Sequence, residues 1–176
     1  MTTTINPASG RTLSIRPATT ADIGRIRAVA EVAFPATYRT ILSPDQLAYM
    51  MDWMYSEASL HRQMEHDGHV FFLAEQDGHT CGYVSVQPES ADVYHLQKIY
   101  VLPECQHTGI GGALFRTVLD YVRSRHTGPC RVELNVNREN PALGFYEHMG
   151  MRRLRSGDFP IGNGYFMNDY IMGLDL

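Results

Sequence analysis

The stretch "CQHTGIGGALF", residues 105–115, sets Gly109, Gly111 and Gly112 between an apolar, strand-like run and the start of a helical pattern. A strand ending in Val101, a short loop and a helix beginning near Gly109 leave several backbone N–H groups unpartnered at a positive helix end. Such an arrangement can hold an anion. Glycine suits it because any Cβ would keep a phosphate off the backbone, and because tight turning calls for positive φ. A strand-to-helix turn without a ligand would use the same residues. Two better-known loops are excluded: no GxxxxGK followed by Ser or Thr occurs, and Leu114 stands where the dinucleotide motif needs its third glycine.

Upstream of the loop, "DVYHLQKIYV" (92–101) is rich in aromatic and β-branched residues and reads as a central strand closed by Pro103. Before it, "HVFFLAEQDGHTCGYVSVQP" (69–88) predicts an antiparallel hairpin about Asp77-Gly78. Near the N-terminus, Leu13 and Ile15 alternate in a short strand ended by Pro17. Thr19 or Thr20 then caps a helix bearing Ile23, Ile26, Val29, Ala30 and Ala33, which Pro35 is expected to stop. Ser43 and Pro44 open a second helix, and a third covers Glu57 to Glu65.

Downstream, Ala113, Leu114, Val118, Tyr121 and Val122 recur at helical spacing before Gly128-Pro129. "CRVELNVN" (130–137) is a strand, and "NPALGFYEHMG" a helix with Pro141 near its start and Gly150 at its end. Two last strands lie around 151–155 and 165–174. The order predicts one α/β domain over residues 11–176 after a fraying N-terminus, 1–10.

The 176 residues, 44% of them hydrophobic, suffice for one good core. A net charge of -4 without Lys/Arg clusters argues against nucleic acid as a partner and points to a small or cationic one. Three cysteines without CxxC spacing suggest neither a disulfide framework nor a thiolate zinc site. His61, His66 and His69 cluster in the sequence, but His61 and His66 do not share a helix face and no acidic partner falls at ligand spacing, so no metal is expected. No signal sequence and no apolar run near the roughly 20 residues that span a bilayer is seen, so the expectation is a cytoplasmic protein without a membrane partner. The oligomeric state is not fixed, and a homodimer stays open.

"KIYVLPECQHTGIGGAL" (98–114) resembles the acetyl-CoA signature of the GNAT superfamily of N-acetyltransferases, Q/R-x-x-G-x-G/A after the fourth strand, with Gln106, Gly109 and Gly111 matching. "LNVNRENPALGFYEHMGM" (134–151) is similar to the family's second motif, which holds an Asn and a Tyr close to the thioester. The resemblance implies a GNAT-like α/β fold: a central, mixed, mostly antiparallel twisted sheet flanked by helices and splayed between the fourth and fifth strands. It implies acetyl-CoA as co-substrate, its pyrophosphate cradled by the N–H groups of His107, Thr108, Gly109, Ile110, Gly111 and Gly112. The main chain of Ile99, Tyr100 and Val101 would pair with the pantetheine arm. Asn137 and Asn140 would touch that arm or hold the helix start, Asn140 serving equally well as an N-cap.

Amine acetylation needs a neutral nucleophile, donors for the developing oxyanion and a proton for the leaving thiolate. The resemblance makes Tyr146 the proton donor and puts the oxyanion on a backbone N–H near Val101. Candidates for the base are His95, whose ordinary pKa of about 6.5 suits the task, and Glu31, near a helix end expected to line the cleft. The first half, "AEVAFPATYRTILSPDQLAYMMDWMYS" (30–56), and the tail "IGNGYFMNDYIM" (161–172) look like the branch with bacterial spermine/spermidine N-acetyltransferases. Phe34 and Tyr38 would then contact the acceptor, a small-molecule primary amine such as a polyamine. Aminoglycosides, protein N-termini, and an acyl-CoA sensor without turnover are the alternatives.

Overall fold

The computed structural model describes residues 3–5 and 12–176. In chain order the elements are β1 (Thr3–Ile5), β2 (Leu13–Pro17), a short 3-10 turn (Thr20–Asp22), α1 (Ile23–Tyr38), α2 (Pro44–Tyr55), α3 (Glu57–Glu65), β3 (Val70–Gln76), β4 (His79–Pro88) and β5 (Val93–Val101). A second 3-10 turn (Pro103–Cys105), α4 (Ile110–Arg125), β6 (Arg131–Asn137), α5 (Leu143–His148), β7 (Arg152–Gly162) and β8 (Tyr165–Asp175) complete them. The eight strands form one sheet in the order β1-β2-β3-β4-β5-β6-β8-β7. Every neighbouring pair is antiparallel except β5–β6.

Helices cover both faces, which is why β3 reads as an unbroken apolar run: Phe71 and Leu73 pack under α1 and α3, Phe72 and Ala74 under α4. The β3–β4 connection is the expected two-residue hairpin, with Gln76 opposite His79 and Asp77 and Gly78 at φ 50° and 83°.

Three expectations change. Pro35 does not end α1, which runs on to Tyr38. The carbonyl that Pro35 leaves without its helical donor is that of the exposed Glu31, and the helix resumes with Arg39 N–H bonding to the Pro35 carbonyl at 2.9 Å. Burial of Phe34 and Tyr38 on either side of the proline holds this last turn against the sheet. The strand expected around 151–155 extends to Gly162 and meets β8 through an Asn163-Gly164 turn. Pro160 is tolerated there because β7 is the sheet's edge. Of the segment expected to fray, 1–10, residues Thr3–Ile5 form β1 on β2, and the remainder lies outside the described residues.

Candidate active site

The parallel pair β5–β6 is joined over three residue pairs only: Val93 with Arg131, Tyr94 with Val132, and His95 with Glu133. Beyond His95 the strands diverge. The divergence starts where β5 carries a bulge against β4, with Val86 opposite Leu96, Ser85 opposite Lys98, and Gln97 left over. An extra residue of this kind bends and twists its strand, here away from β6. Counted without the short β1, these are the fourth and fifth strands, where the splay is expected. The gap is a cavity of about 720 Å³ that reaches from Lys98 and Tyr38 to the glycine loop.

At the loop, Gln106 Nε2 donates to the Val101 carbonyl at 3.1 Å and Thr108 Oγ1 to the Cys105 carbonyl at 2.6 Å. His107 takes φ 61° and Gly109, the N-cap of α4, φ 87°, a conformation that favours glycine. The first helical bond runs from Ala113 N–H to the Gly109 carbonyl, so the N–H groups of Ile110, Gly111 and Gly112 have no acceptor inside the helix. A Cβ on Gly111 would stand 3.6 Å from the Phe145 ring and 4.0 Å from Val101 Cγ2, two residues that line the gap. The bare backbone therefore opens on the cavity rather than accommodating a neighbouring chain. An anionic diphosphate fits this end, and the edge of β5 beyond His95, unpaired by β6, fits an extended amide-bearing arm.

Tyr146 on α5 lines the same cavity and is buried. Burial pushes its hydroxyl well above the ordinary tyrosine range, so at neutral pH it keeps its proton and can donate it. Asn140 does two things at once: Oδ1 accepts from Ala142 N–H at 2.8 Å, and Nδ2 donates to the Tyr38 hydroxyl at 3.2 Å. A second cavity of about 540 Å³ lies between the α1–α2 loop and the ends of β6 and β8, lined by Ile41, Leu42, Asn137 and Asn168 among others.

The model of the acetyltransferase (GNAT) family matches residues 33–151. The chain belongs to this family. Over 149 residues, 81% of this chain and 86% of the relative, it is 23% identical to the uncharacterized N-acetyltransferase of the pepI 3' region of Lactobacillus delbrueckii subsp. lactis. Among solved structures, the PaiA N-acetyltransferase of Thermoplasma acidophilum in complex with coenzyme A superposes with a TM-score of 0.74 at 23% identity, covering 92% of this chain and 97% of that one. A mutant of the spermidine N-acetyltransferase SpeG of Vibrio cholerae gives 0.64 at 19% identity, covering 92% of each. These likenesses concern the GNAT fold.

Within this GNAT chain, Ile99, Tyr100, Val101, Gln106, His107, Gly109, Gly111, Gly112, Asn140, Tyr38 and Tyr146 all come together around the one cavity. Others named from the sequence do not. Asn137 lines the second cavity, its Oδ1 accepting from Glu139 N–H at 2.9 Å. Phe34 is 1% exposed and packs beneath the gap against Tyr38, Tyr55 and Tyr100, as a core side chain. His95 sits where β5 and β6 are still paired, Nδ1 3.1 Å from Glu89 Oε2, and Glu31 faces solvent beside Arg27. Neither candidate base lies in the lining of the gap.

Two buried ionisable groups escape a motif-based reading. Lys98 lines the gap, and its Nζ donates to Gln63 Oε1 at 2.8 Å under α3. No carboxylate pairs with it among the described residues, and burial brings its pKa down to about 7. Asp169 on β8 is 5% exposed; Oδ2 accepts from Asn135 Nδ2 at 3.2 Å and Oδ1 has no hydrogen-bond partner. For Lys98, the available signal is a lone lysine in a strand otherwise mostly apolar and aromatic, apart from His95 and Gln97. For Asp169, it is an acid amid alternating buried positions of the last strand.

Proposed function

We propose that this GNAT protein transfers the acetyl group of acetyl-CoA to the primary amine of a small molecule by direct attack of nitrogen on the thioester. The observation that carries the reading is the coincidence, around one splayed-strand cavity, of a bare-backbone helix start and a buried, protonated Tyr146. The N–H groups of residues 107–112 would hold the diphosphate, and the free edge of β5 the pantetheine amides. Tyr146 would give its proton to the thiolate as the C–S bond breaks. In balance, an ammonium and a thioester yield an amide, a thiol and one proton. A module that merely binds acyl-CoA has use for the loop and none for a buried proton donor beside it.

For the acceptor we propose a cationic amine that enters through the second cavity, where Glu139 offers a carboxylate and Phe166, 53% exposed, an apolar face. Spermidine is the first compound to test, against n-pentylamine as a tail without charge. Release of free thiol from acetyl-CoA, followed over a panel of amines, tests the whole reading. Amine-dependent release, with spermidine preferred about tenfold or more at low salt and less so at high salt, is expected. Tight acetyl-CoA binding with no amine-dependent release would overturn it.

A further inference from the structure

Among the described residues, one buried carboxylate, that of Asp169, has an oxygen without a hydrogen-bond donor. Asp169 pairs in register with Asn137, a lining residue of the second cavity, and accepts from Asn135, a lining residue of the gap. Its sequence neighbour Asn168 also lines the second cavity. The carboxylate is itself in neither lining, but it lies directly against residues that line the place where an acceptor would enter and the place where it would react. Asn135 occupies one oxygen; the other has no donor, at 5% exposure. A buried anionic oxygen without a donor is destabilising unless something supplies one.

Resting on the acetyltransferase reading above, we infer that Asp169 is the residue that receives the acceptor: its Oδ1 takes a hydrogen bond from the ammonium and then its proton. One N–H bond breaks, the proton passes to Oδ1, and the electron pair stays on nitrogen, free to attack. The carboxylate becomes a carboxylic acid, and returns its proton to solvent once the neutral amide has left.

The surroundings suit this task. Burial raises the Asp169 carboxyl above the usual carboxylate range, opposed by Asn135 and by the Arg138 guanidinium. It is thereby a stronger base than a surface aspartate. Across β7 the opposing residue is Gly157, which brings no side chain. From α1, the Tyr38 hydroxyl is near enough to feel its charge. Further along β6, Glu133 is engaged by Arg131 and Arg155, and Arg138 itself by Asp158. No fixed cation saturates Asp169 among the described residues, which leaves the position to a cationic ligand.

Asp169→Asn keeps the shape and removes the charge. Its kcat/KM for spermidine should fall about 10²-fold or more, with acetyl-CoA affinity by calorimetry unchanged and thermal stability equal to the parent's or higher. The acid limb of the parent's pH profile should vanish, leaving a rate that climbs about tenfold per pH unit with the fraction of free amine. A purely structural role would not reshape the profile, and turnover within threefold of the parent with the same profile overturns the assignment. Carboxyl-labelled aspartate supplies a readout independent of turnover. In the parent, the Asp169 carbon resonance, assigned by its loss in Asp169→Asn, should titrate at lower pH when n-butylamine is added. Absence of that shift overturns the inference even if amines are acetylated. A shift with no acetylation of any amine would leave the Asp169 site standing and refute the acetyltransferase reading instead.

Discussion

Asn140 Nδ2 donates to the Tyr38 hydroxyl at 3.2 Å, which ties the loop before α5 to the last turn of α1 across more than half the chain. The same side chain accepts Ala142 N–H, so one buried amide fixes both the start of α5 and the position of Tyr38 at the gap. Replacing Asn140 with Ala leaves the part-buried Ala142 N–H without its acceptor and takes one of its partners from the buried Tyr38 hydroxyl, which keeps Tyr100. Urea denaturation should show a loss of about 2 kcal/mol. Asn140→Asp, which keeps the acceptor for Ala142, should lose less; equal losses would mean that the helix start does not depend on this side chain.

Gly111 separates stability from function. Its backbone lies in α4 at ordinary helical angles, and a methyl group would meet nothing closer than the Phe145 ring at 3.6 Å. Gly111→Ala should therefore hold or raise stability by up to about 1 kcal/mol. The methyl projects into the gap, so acetyl-CoA affinity should fall tenfold or more by calorimetry. Unchanged affinity would remove the loop from the cofactor site.

Tyr146→Phe deletes the proposed proton donor and leaves the ring that packs against Phe145, 5.3 Å between centroids. A fall in kcat of about 10²-fold, with acetyl-CoA affinity preserved, is the expected result from steady-state kinetics and calorimetry. A kcat equal to the parent's under single-turnover conditions would return this residue to a packing role.

Lys98 makes a prediction about pH. Its folded pKa of about 7 lies below the ordinary lysine value of 10.5, so between those values the unfolded chain holds a proton that the folded one does not. Stability contributed this way is complete above pH 10.5 and is lost as pH falls to about 7, by up to about 1.4 kcal/mol per pH unit. Urea unfolding of the parent and of Lys98→Met from pH 7 to 9.5 should differ by that slope. Parallel curves would contradict a neutral buried amine.

What could be read from the sequence was whatever is encoded locally. Gly109 and Gly111 announce the loop because positive φ and bare backbone are properties of single residues, and Asp77-Gly78 announces its hairpin for the same reason. Asn163-Gly164 carries an equal turn signal, masked by Pro160 and Gly157, which break the strand pattern and are admissible only because β7 is an edge. Pro35 misleads because burial of Phe34 and Tyr38, a tertiary effect, outweighs a local rule. The gap itself follows from the register of β5 on β4 and β6, which no short window contains. Asp169 and Lys98 stayed hidden for that reason: their burial, and their lack of charged partners, arise only when distant strands meet.

The central claim is that acetyl passes directly from acetyl-CoA to an amine in this gap, and one measurement addresses it. Acetyl-CoA labelled at the acetyl carbonyl is mixed with a slight excess of enzyme and spermidine, and the label is followed by mass spectrometry. The account predicts one labelled acetyl in amide linkage on spermidine for each thiol released, and none on the protein. Label that stays on CoA, or that appears as free acetate at the same rate with and without the amine, would contradict it.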